Sequence, residues 1–326
     1  MKAVLCKQYG PPSTLVVEDV AAPVPGEGQV LVEVHAAGVN FPDTLIIQGK
    51  YQFKPELPFS PGAEVAGVVK AVGPGVTGFR AGDRVIAATT WGGYAQQALA
   101  QADRVIPMPD EMDFPTAAAF LLTYGTSHHA LKDRGELKPG ETVLVLGAAG
   151  GVGLAAVEIA RTMGAHVIAA ASSDAKLAVC REHGADATIN YTTENLRERI
   201  KALTDGRGVD VVYDPVGGEL SEPALRSMAW RGRFLVVGFA AGTIPSVPLN
   251  LALLKGCSIV GVFWGAFMRA EPKRNEEEMR ELVAWARTGK LRPRISAVYP
   301  LERCADALQD VLDRKVTGKV VLTTGA

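Results

Sequence analysis

The sequence predicts an α/β chain in two parts, a β-rich first half and a doubly wound parallel sheet. Up to Leu122 it reads as short apolar runs broken by Pro and Gly, and beyond it apolar runs alternate with helical patterns. At residues 142–154 an apolar strand runs straight into a Gly-rich turn that opens a helix. A length of 326 residues fits about two domains of ordinary size.

Taken in order, the first half offers strands at 30–34, 66–72 and 83–87. A helical pattern begins at Pro115 and runs to Asp133. Strands then recur at 143–146, 166–171, 209–214, 233–238 and 258–263, with helices between them, which implies right-handed crossovers. After Trp264 come a charged helix at 276–287, a strand at 295–301, a helix from Glu302 and a strand at 319–323. These last elements are expected to rejoin the β-rich domain. The expected division is therefore 1–122 with 265–326 as one domain, and 123–264 as the other.

The turn Gly147, Ala148, Ala149, Gly150, Gly151, Val152, Gly153 is read as an anion site. Glycines permit a tight turn and let backbone N–H groups approach a pyrophosphate, and the N-terminus of the next helix adds a favourable dipole. The usual G-x-G-x-x-G would place Gly at Ala148, so the motif alone is weak. Its flanks decide it: strand, turn, helix and second strand within about thirty residues are the context of a dinucleotide site.

The end of the second strand selects the dinucleotide. NAD enzymes place Asp or Glu there for the ribose 2′-hydroxyl, whereas this chain has Ser172 and Ser173, with Lys176 one helical turn beyond. An ammonium there can meet a 2′-phosphate as a point charge, which favours NADPH. Ser173 equally fits the N-cap of a helix from Asp174, with Lys176 a first-turn residue, and a shifted strand end would bring Asp174 to the ribose.

Composition excludes other classes. With 48% hydrophobic and 21% charged residues and a net charge of −1, the chain has no basic field for nucleic acid. No run of about eighteen apolar residues exists to span a membrane. The segment from Met1 to Lys7 lacks a signal-peptide core, so a cytoplasmic address is expected. Cys6, Cys180, Cys257 and Cys304 show no C-x-x-C pairing and read as buried free thiols.

The segment from Gly140 through Ala148 to Gly153, with Arg161 beyond it, resembles the signature of a known family. Over essentially its whole length the chain is similar to the medium-chain dehydrogenases/reductases, and within them to the zinc-free NADPH:quinone oxidoreductases that include zeta-crystallin. Glu158 stands where that branch usually has Gln. The resemblance implies a GroES-like β-rich catalytic domain joined to a Rossmann domain. It also implies a homodimer made by pairing the last Rossmann strands. The zinc enzymes of the superfamily carry a Cys where this chain has Asn40 and a His where it has Ala63, and the four-Cys lobe is missing. Zinc needs several converging ligands, so a metal-free protein is expected. His128 and His129 are adjacent, point to different sides of a helix and are read as ordinary helix residues.

Without a Lewis acid, alcohol oxidation is disfavoured and hydride transfer to an activated acceptor is favoured. The resemblance implies that Asn40 lies near the nicotinamide ribose and the acceptor. It implies further that Tyr51 stands at the mouth of the substrate cleft, Thr123 approaches the nicotinamide and Tyr191 approaches the adenosine phosphate. Lys319 is similar to a late basic residue that reaches toward the cofactor. Gly238, Phe239, Phe263 and Trp264 sit where strand ends line a ligand crevice. Plainer readings stand beside these: a turn Asn, a surface Tyr, helix-cap Thr, core or dimer aromatics and a solvated Lys. The expected activity is quinone reduction; reduction of enals, enones or unsaturated thioesters is the alternative enzyme, and a non-catalytic NADPH-binding or crystallin-like protein the alternative of another class.

Overall fold

The computed structural model describes residues 1–326. The chain begins with strands β1 (Lys2–Leu5) and β2 (Val16–Asp19), an antiparallel pair. Strand β3 (Gln29–Val39) is followed by helix α1 (Phe41–Ile46), β4 (Glu64–Val72), β5 (Arg84–Ala88), β6 (Gln97–Gln101), β7 (Val105–Pro107) and helix α2 (Phe114–Ala118). β3 is the central strand, antiparallel to β4 and β6, and β5 links β4 to β7. Valines of β3 and β4 enter one core with Ile46, Ile47 and Tyr94.

Helix α3 (Leu121–His128) continues as a wider turn through Arg134. Next come β8 (Thr142–Leu146), α4 (Gly151–Thr162), β9 (His166–Ala171), α5 (Asp174–Glu182), β10 (Ala187–Asn190), α6 (Leu196–Leu203), β11 (Val209–Asp214), α7 (Ser221–Arg226) and β12 (Met228–Val236). Helix α8 (Asn250–Lys255) and strand β13 (Ser258–Gly261) complete a sheet in the order β10-β9-β8-β11-β12-β13. Every pairing in it is parallel. The order reverses between β8 and β11, so the ends of these two strands flank the crevice where open α/β sheets bind ligands. All of β8 is buried, which is why it is continuously apolar rather than alternating.

Helices α9 (Trp264–Ala270) and α10 (Pro272–Arg287) follow, and then β14 (Ile295–Pro300), α11 (Cys304–Leu312) and β15 (Lys319–Thr323). β15 pairs antiparallel with β3 and parallel with β14, returning the chain to the first sheet. By contact the chain forms two compact units, Met1–Leu122 with Pro293–Ala326, and Thr123–Arg292.

The return therefore comes at Pro293, not at 265 as expected from sequence. The reason is the buried face of α10, formed by Asn275, Glu278, Met279 and Leu282 at helical spacing. Asn275 accepts a 3.1 Å hydrogen bond from the indole of Trp264, and that indole fills the space beside Gly125, where an added Cβ would meet it at 2.6 Å. No helix of the chain is long and apolar enough to cross a membrane.

Candidate active site

The Gly-rich turn is closed by backbone contacts. Gly147 has φ of +59°, a conformation that favours glycine, and a Cβ on Gly153 would lie 2.4 Å from the Gly147 carbonyl oxygen. Gly150 is the N-cap of α4, and no side chain caps that helix. The first-turn amides of Gly151, Val152 and Gly153 thus lack intrahelical partners and are open to an anion. Ala148 and Ala149 are buried, and the Ala148 amide donates to the Ala170 carbonyl at 3.0 Å, so Ala148 fastens the turn to β9. Behind the turn the Ser127 hydroxyl donates to the Val152 carbonyl at 2.9 Å.

At the end of β9, Lys176 Nζ donates to Ser172 Oγ at 3.4 Å, bringing the two residues together. Ser173 caps α5 as well, accepting from the Lys176 amide at 3.4 Å. The carboxylate of Asp174 accepts from Asn190 Nδ2 at 2.9 Å, which holds it against β10. Tyr191 follows β10, its amide donating to the Ala171 carbonyl at 3.2 Å and its ring packing on the core of this unit.

Beyond β11, Asp214 is buried and organises the next loop. It accepts from Val216 N, Gly217 N and Ser221 Oγ at 2.9, 2.8 and 2.6 Å. The Gly238 amide donates to the Asp214 carbonyl at 3.3 Å, and Phe239 lies over Gly217. Phe239 and Phe263 are both partly solvent-exposed, whereas Trp264 is buried. Thr123 is the third residue of α3 and buried, so it is not a helix cap.

In the first unit, Asn40 lies between the end of β3 and the start of α1. Its Nδ2 donates to Glu64 Oε1 at 2.9 Å and to the Gly38 carbonyl at 3.3 Å, and its Oδ1 accepts from Lys319 Nζ. Lys319 also donates to Glu64 Oε1 at 2.7 Å, and Glu64 Oε2 accepts from the Leu122 amide at 2.8 Å. Glu64 is 0% exposed and Lys319 5%. Lys319 is thus no solvated lysine but half of a buried ion pair with its other polar partners in place, the condition under which such a pair is tolerated. Gly38 is needed here, because a Cβ would stand 2.2 Å from the Ala118 carbonyl oxygen and 2.4 Å from Glu64. Tyr51 is half-buried, packed on the core of this unit and edge-on to Phe53 at 5.7 Å.

The family profile described as "Alcohol dehydrogenase GroES-like domain" matches residues 26–110, and that described as "Zinc-binding dehydrogenase" matches 151–287. A quinone oxidoreductase-like protein 2 homolog of Nematostella vectensis is 43% identical over 99% of this chain and 89% of its own length. The Escherichia coli quinone oxidoreductase solved with NADPH superposes with a TM-score of 0.94 at 31% identity, covering 99% of this chain and 100% of that one. The chain belongs to the quinone oxidoreductase family of medium-chain dehydrogenases/reductases. A 2-haloacrylate reductase structure, 32% identical with a TM-score of 0.87, covers 100% of both chains.

In this quinone oxidoreductase family member, three residues with roles at or beside the site escaped the sequence reading. Glu64 is the first, the acceptor that joins Asn40 to Lys319. Asp43 is the second: its Oδ2 accepts from the Asn40 amide at 2.8 Å and from Tyr94 Oη at 2.9 Å, fixing the backbone that presents Asn40. Burial raises the Asp43 carboxyl to about 6 against the opposing pull of those two donors, and burial raises the Tyr94 hydroxyl well above its usual value. The third is Glu158, which accepts from Tyr124 Oη at 2.7 Å and the Arg292 amide at 3.0 Å and pairs with His183 at 2.7 Å. It braces α4 from behind the nucleotide turn.

Proposed function

We propose that this oxidoreductase uses NADPH to reduce quinones and needs no metal for that hydride transfer. The observation that carries the reading is the buried cluster of Asn40, Glu64 and Lys319. Asn40 stands where the zinc enzymes of the superfamily carry a Cys, and an ammonium already neutralises Glu64, the carboxylate its side chain meets. A divalent ion would have to expel Lys319 and would find no thiolate or imidazole from Asn40 or Ala63.

The residues fit the cofactor. Ser172 and Lys176, which meet at the end of β9, would hold the 2′-phosphate with Tyr191, and the amides of Gly151, Val152 and Gly153, which no side chain caps, would hold the pyrophosphate. Gly147, Ala148, Ala149 and Gly150 form the tight turn that would let those amides approach the phosphates. Thr123, Gly238, Phe239 and Phe263 complete the cofactor's surroundings. Bound NADPH supplies a hydride to the acceptor. Both amide hydrogens of Asn40 are engaged, so it yields a donor only from its 3.3 Å bond to Gly38, while the Lys319 ammonium has one hydrogen beyond those given to Asn40 and Glu64. An acceptor oxygen that gains charge draws on these donors, and Tyr51 packs against the flat acceptor.

The reading includes a homodimer. β13 is the sheet's edge strand, largely exposed, and Trp230, Leu253, Leu254 and Ile259 are exposed large apolar side chains. A second reading, reduction of activated carbon–carbon double bonds, is favoured by the similarity to the 2-haloacrylate reductase. NADPH oxidation is to be followed with ortho- and para-quinones beside an enone and an enal. Faster turnover of quinones is expected. Turnover of the enone alone moves the assignment to the second reading, and no NADPH loss with any acceptor sinks both.

A further inference from the structure

Away from the nucleotide turn, the second unit buries a cluster of histidines and carboxylates between the end of α3 and α10. His129, Asp133 and Glu278 each bring one ligand atom to within 4.8 Å of the others. We propose that these three residues form a binding site for a divalent first-row transition-metal ion such as Zn2+, which fastens α10 to α3.

Unsatisfied atoms carry the argument. His129 and Glu278 are 4% and 8% exposed, and His129 Nδ1 and Glu278 Oε2 make no hydrogen bond. Leaving such atoms buried without a hydrogen bond is unfavourable, more so where charge is involved. His129 Nδ1 is only 2.9 Å from Asp133 Oδ2, yet the carboxylate lies off the direction in which the ring nitrogen would donate. Distance without alignment is poor for a hydrogen bond. The separation lies within a few tenths of an ångström of the spacing of two neighbouring ligands of one tetrahedral ion, which sit about 2.0–2.2 Å from zinc and therefore about 3.3–3.6 Å from each other.

The surroundings supply support, charge and access. Phe267 stacks on the His129 ring at 4.1 Å between centroids and holds its plane. Arg274 occupies Asp133 Oδ1, leaving Oδ2 turned to His129. His128 fixes the neighbouring turn by pairing with Glu281 at 2.8 Å, and its Nδ1 lies 3.3 Å from Glu278 Oε2. A pocket of about 290 Å³ opens onto the cluster. Its lining carries four carboxylates, Asp133, Glu277, Glu278 and Glu281, against the two cations Lys132 and Arg274, a deficit of two positive charges that a divalent ion makes good. One imidazole with two carboxylates is a donor set for Zn2+, Mn2+ or Co2+ rather than for Ca2+.

The test uses the full chain, dialysed against chelator and titrated with Zn2+ by calorimetry and with Co2+ by visible absorption. One equivalent of each is expected to bind, with a rise in Tm on adding Zn2+. Glu278→Gln and Asp133→Asn are each expected to weaken binding at least about tenfold. His166→Gln, which changes an exposed histidine elsewhere, is expected to leave it unaltered. No binding by the dialysed wild-type chain overturns the site, as does binding that survives both carboxylate changes or is lost with His166→Gln. Circular dichroism and NADPH binding show whether each variant is folded; if Glu278→Gln is not, Asp133→Asn and the wild-type titration decide.

Discussion

Gly150 and Gly153 lie three residues apart in the nucleotide turn, yet a methyl group added at each meets different surroundings. At Gly153 the new Cβ would fall 2.4 Å from the Gly147 carbonyl oxygen and 2.8 Å from backbone atoms of Ala148. These atoms cannot swing aside as a flexible side chain would, so the turn must open. About 1–3 kcal/mol of strain is expected in the stability of the free chain as well as in its affinity for cofactor. At Gly150 the Cβ meets only the Gly147 oxygen at 3.4 Å, and φ of −78° with ψ of 174° is open to any residue. Gly150→Ala should therefore change the stability of the free chain by no more than about 1 kcal/mol, the scale of an N-cap substitution. If the pyrophosphate packs on this turn, the same methyl occupies space the phosphate needs, and about 1–3 kcal/mol becomes a rise in Kd for NADPH of about 5- to 150-fold. Fluorescence titration gives Kd, and urea unfolding of the free chain gives stability. Gly150→Ala with wild-type NADPH affinity would refute the placement of the phosphates; equal loss of stability in both variants would refute the steric argument.

Replacing Ser172 by Asp and Lys176 by Ala removes a charged donor and adds a carboxylate at the end of β9, so the ratio of kcat/KM for NADPH over NADH should fall at least about tenfold; an unchanged ratio means the 2′-phosphate binds elsewhere. Lys319→Met leaves Glu64 buried and without its counter-charge, and a loss of about 3–5 kcal/mol is expected in denaturant unfolding, part of it regained in Lys319→Met/Glu64→Gln; a loss below about 1 kcal/mol would show that the pair is not the anchor described. Asp43 has its pKa raised from 3.8 to about 6, so the folded state holds a proton that the unfolded state has released. That stabilisation is complete below pH 3.8 and is lost as pH rises through about 6, amounting to about 3 kcal/mol. Asp43→Asn should flatten the stability profile across this window, which unfolding at a series of pH values will show.

Elements that could be read from the sequence were those whose pattern is set locally. The strand of β8 and the strand-to-helix alternation after it are continuous apolar runs with turn residues between them, and the parallel sheet follows. β10 is four residues long and half-buried over its first two, too short for a period to register. β1 and β2 form a two-strand ribbon of which β2 has no fully buried residue, so no alternation marks it. The charged stretch at 272–287 was read as a shorter helix of the first domain because its polar face dominates the composition. Its buried face includes Asn275 and Glu278, polar residues that count against burial until Trp264 and the histidines of α3 are seen opposite them.

The nucleotide turn and the cluster around Asn40 differ in the same way. The nucleotide turn is made of backbone, and backbone geometry is dictated by which residues are glycine, so its place and purpose are written in seven consecutive letters. The cluster around Asn40 is made of side chains: Asn40 meets Glu64 across 24 residues and Lys319 across 279, and no local rule joins them. A weaker signal was nonetheless present. Glu64 and Lys319 each head a strand, β4 and β15, whose next three residues are apolar and buried. A charge drawn into a core by its strand must find an opposite charge there, since the cost of leaving it unpaired is several kcal/mol. One carboxylate and one ammonium in that position imply each other, and Asn40, adjoining both strands at the end of β3, is the residue their pairing would place between them.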